Sequence, residues 1–548
     1  MTGTGSLTTS RSAVLRRAWA NRRLRRVLAA CLLFHVGEWA SYVALLVYAY
    51  GEGGMRASSA IVLAQVVPAA VLASPAAAAL SRLPTVQALA LGYVAQAVTG
   101  GMVAGALLLD LPFPVVATLS AVFSVAITFT RPVHYAFLPE ISDTTGELTA
   151  GNAASGIVEA VATLAGPLAC GALVAVWSPG GVLAVMASGA LVSAALVPRP
   201  SRRVVSAGVE EVWAAAPPRP GATAQLAEVL RDRPARVLCG LVGAEYALVG
   251  MMDILLVVLA FDRLGLDDSG PGWLNAAIGL GGLLGAAVTF VLVGQRRLAP
   301  ALLAGAVAAG VPLALTGLIP SVWIALVLIA LVGAGKTFFD VTQRTLVHRL
   351  LPDRLLGAVF GVQEALMMAG LAVGSVLAPV LVEVAGLGAA FAVAGLLLPL
   401  ACLLALPPLS RQDAAAAVPA DVVALLQAVP ILAVLPPRLV ERLARLSEPE
   451  VVAGGSVVVA EGQPGSLFYV VESGELAVSH GDVEVRRLGP GAWFGELALL
   501  RNCARTATVT AVSDVRLRAV DRETFLTALS GQPRSYGVAR EHATEHYR

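Results

Sequence analysis

From Ala57 to Leu80, and again from Ala301 to Leu318, the chain carries no formal charge. A helix needs about 20 mainly apolar residues to cross a bilayer, so such stretches constrain the fold more than any other feature. The rest of the chain agrees with them. Charged residues make up 14% of the 548 residues and hydrophobic ones 57%, against roughly 25% charge in a typical soluble chain. Most of the polypeptide is therefore expected inside lipid. The last part is different: charge returns, glycine punctuates short runs, and the composition becomes that of an ordinary soluble domain.

Apolar runs separated by Gly, Pro or charge number about twelve. They fall near 27–50, 56–80, 85–109, 113–138, 147–176, 180–198, 236–261, 271–294, 299–318, 321–347, 355–383 and 386–407. With an even count, the segments on the N-terminal side of the membrane carry Arg16 to Arg26, Arg82, Arg199, Arg202, Arg203, Arg231, Arg233, Arg236, Arg296, Arg297, Arg349, Arg354 and Arg411. The opposite segments carry little beyond Arg56 and Arg263. The positive-inside rule then puts both termini in the cytoplasm and the protein in an inner or plasma membrane. Residues 1–26 read as a basic cytoplasmic anchor, not as a cleaved signal peptide. Five scattered cysteines, mostly in apolar runs, give neither a disulfide framework nor a metal site.

A polar insert, residues 198–235, divides the membrane part into two sets of six runs, and the sets resemble each other. Arg131 and Arg344 are each followed by six residues, Leu-Pro and an acid, ending at Glu140 and Asp353. Gly156-Ile-Val-Glu159-Ala corresponds to Gly361-Val-Gln-Glu364-Ala, and Val36-Gly37-Glu38-Trp39 to Val242-Gly243-Ala244-Glu245-Tyr246. Two six-span halves joined by a long loop resemble the major facilitator superfamily over residues 27–408. The resemblance implies two bundles with a cargo site between them at midplane and alternating access by rocking. In the loop after the second run, only Arg82 matches the family's basic partner, and Ser81 stands where its acid belongs.

Charges at membrane depth are costly and face the bundle interior. Glu38, Glu159, Glu245, Asp253, Lys336, Asp340, Arg344 and Glu364 are the candidates for a transport cavity. Lys336, Asp340, Arg344 and His348 follow four-residue spacing, which places them on one helical stripe. A purely structural role is the alternative, with pairs such as Arg131 with Glu159, or Lys336 with Asp340, holding the bundles in register.

After a linker at 409–421, residues 422–548 form the expected regulatory domain. Val422 to Leu446 keeps a helical period broken by Pro430 and Pro436-Pro437. Short alternating runs follow at Ser456–Ala460, Leu467–Glu472, Glu475–Val478, Val483–Leu488, Ala507–Ala511 and Arg516–Val520, then a helix at Arg522–Leu529. Regularly spaced short strands predict a β-roll or barrel. The order Glu461-Gly462, Gly465, Tyr469, Gly474, Leu488-Gly489, Gly491, then Phe494-Gly495-Glu496-Leu497-Ala498-Leu499-Leu500 and Arg505-Thr506-Ala507 resembles the cyclic nucleotide-binding domain of kinase regulatory subunits and nucleotide-gated channels. That resemblance implies a pocket built from Gly495, Glu496, Leu497, Ala498, Arg505, Thr506 and Ala507. Glu496 would accept from the ribose 2′-hydroxyl and Arg505 would pair with the cyclic phosphate. Either cAMP or cGMP fits, with no metal required.

Nothing after Val520 resembles a helix-turn-helix, so no nucleic-acid partner is expected. The tail shows no Ser/His/Asp or metal arrangement, so no enzyme is expected either. The fold class read from the sequence is an all-α polytopic membrane protein of two six-helix bundles followed by a soluble β-roll with flanking helices. The function it suggests is secondary active transport, in the efflux direction or otherwise, controlled by a cyclic nucleotide. A lipid flippase or scramblase on the same fold and an anchored nucleotide receptor without transport are the alternatives. The bilayer and the nucleotide are the expected partners. Cargo identity, whether small molecule or lipid, and oligomeric state are left open.

Overall fold

The computed structural model describes residues 21–80, 83–141, 145–198, 222–292, 297–416, 420–433, 435, 437–481, 483–501 and 503–530. Residues 1–20, Ser81, Arg82, most of the insert after 198 and the segment 531–548 lie outside them, and with them those parts of the sequence reading. The chain separates into two compact units, Met1–Gln412 and Asp413–Arg548.

Among the described residues, the regular elements of the first unit are all helices. In chain order its helices are α1 (Arg22–Leu80), α2 (Thr85–Leu108), α3 (Phe113–Ile141), α4 (Thr145–Val174), α5 (Pro179–Leu196), α6 (Ala222–Arg231), α7 (Arg233–Val258), α8 (Gly270–Val288), α9 (Ala299–Thr316), α10 (Val322–Leu350) and α11 (Asp353–Ala416). Ten of them are long and apolar enough to cross a membrane. Two of those ten are each a pair of rods. α1 breaks at Gly53 and Gly54, where Gly54 sits at φ 61°, and α11 breaks at Gly386, at φ 82°. Positive φ costs glycine little and other residues a good deal, so these are the turns between consecutive spans. Counting the broken helices twice gives the twelve rods read from the sequence, a multi-pass membrane architecture.

Among the described residues, α6 is an element that the sequence reading left as polar insert. It presents Val229 to the core and leaves Leu226 and Leu230 exposed. Asp232 then caps α7, its carboxylate accepting from Ala235 N at 2.9 Å.

The two halves meet through α4 and α8 and through both first helices, α1 and α7. A Cβ added at Gly272 would lie 2.7 Å from Gly171 Cα, and one at Gly279 would lie 2.6 Å from Leu164 Cα. Only glycine lets these two backbones approach so closely, the small-residue packing expected of membrane helices.

The second unit begins with helices α12 (Ala420–Ala428), α13 (Pro430–Ala433) and α14 (Pro437–Leu446). The proline breaks read from the sequence thus separate three short helices. Two four-stranded antiparallel sheets follow, ordered β1-β8-β3-β6 and β2-β7-β4-β5. Their strands are β1 (Glu448–Val452), β2 (Val457–Val459), β3 (Leu467–Ser473), β4 (Leu476–His480), β5 (Val483–Leu488), β6 (Trp493–Phe494), β7 (Thr508–Ala511) and β8 (Val515–Asp521). Helix α15 (Glu496–Arg501) interrupts the second half of the roll and α16 (Arg522–Ser530) closes the described chain. Val471, Leu476, Val509, Val515 and Leu517 fill the space between the sheets. A second core joins Phe468, Val470 and Phe525 to the helices α12 to α14.

Candidate functional site

The conspicuous feature of the roll is a buried cation. Arg505 is 7% exposed, in the loop between α15 and β7. Its Nη2 donates to Leu467 O at 2.8 Å and its Nη1 to Gly495 O at 3.2 Å, with the guanidinium 5.9 Å from the Tyr469 ring centre. Among the described residues no carboxylate comes within ion-pair distance of it. Burial pushes its pKa down, as it must for a cation removed from water; the Tyr469 hydroxyl and Glu496 oppose that, and Arg522 adds to it. The Tyr469 hydroxyl is itself pushed up, mainly by burial.

Glycines let the backbone crowd the guanidinium. Gly495 adopts φ 93°, and a Cβ there would lie 2.5 Å from Arg505 Nη1. A Cβ on Gly465 would lie 2.6 Å from Ala498 Cβ and 2.8 Å from Arg505 Nε. Gly495, Ala498 and Arg505 are thus brought together. Glu496 and Leu497 follow Gly495 in the first turn of α15, and Thr506 and Ala507 lead from Arg505 into β7.

At the rim, the Thr506 carbonyl lies 3.2 Å from His480 Nδ1, which is also 3.1 Å from Glu461 Oε1. Glu461 Oε2 accepts from Gly481 N at 3.1 Å, so one carboxylate pins the β4–β5 turn to the turn that precedes Gly465. Neither this arrangement nor Arg522, whose Nη2 donates to Gly465 O and Ala498 O, was assigned a role from the sequence.

The membrane charges fall into two half-sites. In the first half Arg131 on α3 binds Glu38 on α1 through both Nε and Nη2, and His35 Nδ1 lies 3.2 Å from the same carboxylate. The sequence reading offered Glu159 as an example of a partner for Arg131; the structure shows Glu38 bound to it. In the second half Lys336 on α10 stands 2.9 Å from Glu245 on α7 and 2.9 Å from Asp340, with the Tyr246 ring 5.5 Å away. Glu38 and Glu245 are the equivalent acids of the internal repeat. Each is held by a cation from the fourth rod of its half. Arg344 and His348, on the same stripe as Lys336, form no ion pair among the described residues. Glu364 is exposed on α11 and Glu159 half-buried on α4.

Four further contacts join one half to the other. Tyr42 donates to Asp253 at 2.7 Å, and Tyr50 to Asp262 at 2.8 Å. Arg56 grips Glu383 with bonds of 2.8 and 3.0 Å, and Ser59 donates to Ser375 O. The last three cluster at the end of the bundle that carries the 50–56, 262–269 and 383–386 turns. Among the described residues no cluster of three or more His, Cys, Asp or Glu is placed to hold a metal ion.

This architecture defines a membrane bundle of two related halves carrying a β-roll with a buried arginine. Comparison with known proteins makes the two parts specific. Residues 292–447 match the Major Facilitator Superfamily and residues 449–532 the cyclic nucleotide-binding domain. The chain therefore joins a Major Facilitator Superfamily segment to a C-terminal cyclic nucleotide-binding domain. The cAMP-dependent protein kinase regulatory subunit of Hypocrea atroviridis is 40% identical over 100 residues, 18% of this chain and 22% of that protein. That of Blastocladiella emersonii is 48% identical over 79 residues, 14% of this chain and 20% of that protein. The cGMP-dependent protein kinase 2 of Mus musculus is 36% identical over 91 residues, 17% of this chain and 12% of that protein. The chain thus spans about a fifth or less of these relatives. The solved regulatory domain of Toxoplasma gondii PKA with cAMP is 26% identical, covering 24% of this chain and 52% of its own, with a TM-score of 0.23.

Proposed function

We propose that the protein is a secondary active transporter whose cycle is biased by a cyclic purine nucleotide, cAMP or cGMP, bound in the roll. The observation that carries this is the buried Arg505 guanidinium, which has carbonyl oxygens and an aromatic face for neighbours. A buried charge calls for a partner of opposite sign. A guanidinium offers five donors in a rigid fork, and a phosphate is the anion that fork fits. Glu496, at the head of α15, would take the ribose 2′-hydroxyl. The similar kinase regulatory subunits are cAMP-dependent and the similar kinases cGMP-dependent, and both nucleotides suit the same phosphate contact.

For the membrane part, the paired half-sites Glu38–Arg131 and Glu245–Lys336–Asp340 support a polar cavity between two rocking bundles. Glu159, Arg344, Asp253 and Glu364 remain its further candidates. With both termini cytoplasmic, as the arginine bias implies, the cluster of cross-half contacts closes the outer end. Nucleotide binding would act through the helices α12 to α14, which precede the roll within the second unit. It can do so only by binding one transporter state better than the other, and a difference of about 1–3 kcal/mol changes the balance 5–150-fold.

The test needs no knowledge of the cargo. Spin labels at Glu52→Cys and Asp268→Cys, on a Cys503→Ala background, report the separation of the halves in nanodiscs by pulsed electron resonance. A distance distribution that shifts with saturating nucleotide supports regulation. An unchanged distribution, in protein shown to bind the nucleotide, contradicts it.

A further inference from the structure

Glu461 fastens three segments of the roll to one another. It lies in the turn between β2 and β3, where its main-chain N–H donates to Thr508 Oγ1 at 3.0 Å. Its Oε2 accepts from Gly481 N, in the β4–β5 turn, at 3.1 Å. Main-chain bonds continue the seam towards the buried arginine: Gly462 N donates to Arg505 O at 2.9 Å, and Arg505 N to Gln463 O at 2.8 Å. The other carboxylate oxygen, Oε1, lies 3.1 Å from His480 Nδ1, and the same nitrogen lies 3.2 Å from Thr506 O. One imidazole nitrogen therefore joins the end of β4 both to Glu461 and to the residue that follows Arg505.

Both neighbours of that nitrogen are acceptors, so Nδ1 must carry a proton. A neutral imidazole can do this only with its single proton on Nδ1. An imidazolium has a proton there in every case, and its charge strengthens the bond to the carboxylate. Histidine is the side chain that changes charge between about pH 5 and 8. Across that interval the Glu461–His480 couple passes from neutral to a single negative charge, next to the segment that holds Arg505. With side-chain exposures of 68% for His480 and 35% for Glu461, water screens this charge but does not remove it.

The surrounding groups leave the histidine as the element that titrates there. β4 runs between β5 and β7, and β7, Thr508–Ala511, brings no ionisable side chain. On β5, Glu484 is paired with Arg487 at 2.7 Å, and Arg486 lies opposite Val478 in the register. Asp482, in the turn itself, falls outside the described residues. These are carboxylates and guanidiniums, side-chain types whose ordinary titration lies outside that interval.

We propose that His480, held by Glu461, is a positioning residue of the nucleotide site. It fixes the backbone at Thr506, and its protonation makes nucleotide binding tighter in mild acid than in mild alkali. The inference rests on reading Arg505 as the receiver of the cyclic phosphate, and it adds proton concentration as a second input to that site. The sign follows from charge. The protonated couple is neutral beside an incoming anion, whereas the deprotonated couple repels it. By linkage, nucleotide binding then takes up part of a proton.

The experiment is calorimetric titration of the full chain in detergent with cAMP and, separately, cGMP, at pH 5.5 and pH 7.5, for wild type, His480→Gln and His480→Arg. In wild type the Kd should be about two- to fivefold lower at pH 5.5, the size expected of a partly screened charge. His480→Gln offers a donor that does not titrate, so the ratio between the two pH values should fall to about one. His480→Arg is a cation at both, so its ratio should also be about one, with the tighter, acid-like Kd at pH 7.5. Wild-type binding that is equal or weaker at pH 5.5 would overturn the proposal alone, as would a wild-type ratio retained in His480→Gln. If His480→Gln does not fold, the arginine variant decides by the same ratio. A wild type that binds neither nucleotide at either pH would overturn the reading of Arg505 and the proposal with it.

Discussion

The hydroxyl of Tyr42 donates to Asp253 Oδ2 at 2.7 Å, joining the first helix of one half of the membrane bundle to the first helix of the other. Asp253 is 7% exposed, so the bond replaces water for a carboxylate at membrane depth. Its geometry belongs to the state in which these helices lie together, and it is lost when the halves part.

Tyr42→Phe removes that bond while keeping the ring. Hydrogen bonds to charged groups contribute about 1.5–3 kcal/mol in water-soluble proteins, and interhelical ones in membranes average about 0.6. A cost near 1 kcal/mol is expected, enough to raise the separated population roughly fivefold. Distance distributions between labels at Glu52→Cys and Asp268→Cys check this, and the long-distance component should grow. Tyr50→Phe, one step nearer the turn, should act in the same direction.

Lys336 is the shared counter-charge of Glu245 and Asp340, and Glu245 is 2% exposed. Removing one member of a buried ionic group leaves the others uncompensated, at a cost of about 3–5 kcal/mol. Lys336→Met should therefore lower the melting temperature of the detergent-solubilised protein sharply. Adding Glu245→Gln should recover part of the loss, because it removes the buried charge that Lys336 had balanced. Non-additivity of the two substitutions is the readout.

Asp521 caps α16: its carboxylate accepts from Thr524 N at 2.9 Å, and the bonds from Thr524 hold its pKa below the usual carboxylate value. A carboxylate whose folded pKa is depressed stabilises the fold above the unfolded pKa of about 3.9, and that contribution is lost as pH falls through the folded value. Asp521→Ala should cost about 1 kcal/mol near neutrality. Asp521→Asn should keep most of the cap and lose the acid sensitivity. The group is largely solvent-exposed, so the acid-linked part is expected to be only a few tenths of a kcal/mol. Melting of the roll at pH 7 and pH 3 separates the three proteins.

How much of this was legible in the chain varies with the range of the interaction involved. The twelve rods were, because a bilayer demands continuous apolar length and glycine marks the turns at Gly54 and Gly386. Most strands of the roll were, because their two-residue period survives in short runs. β1 was not: Glu448-Pro449-Glu450 opens it, and it earns its place only by pairing with β8 from Glu448 opposite Ala519 to Val452 opposite Val515. α6 was hidden in a polar insert because ten amphipathic residues look like linker until something packs on them. The residues proposed for the pocket rest on their resemblance to a known pattern, which fixes their types and spacing; of them the structure brings Gly495, Ala498 and Arg505 together. The partner of Arg131 was not, since Glu38 lies 93 residues away and several acids compete for one guanidinium. Arg522 escaped for the same reason. Its acceptors are carbonyls 57 and 24 residues distant, and carbonyls leave no mark in a sequence.

The central claim is that Arg505 receives the phosphate of a cyclic purine nucleotide, and calorimetric titration of the full chain tests it most directly. Wild type should bind cAMP, cGMP or both at one site per chain. Arg505→Ala should weaken that binding at least about tenfold, the loss expected for a charge-assisted contact. Titrations flat to millimolar nucleotide, or an alanine variant that binds as tightly as wild type, would contradict it.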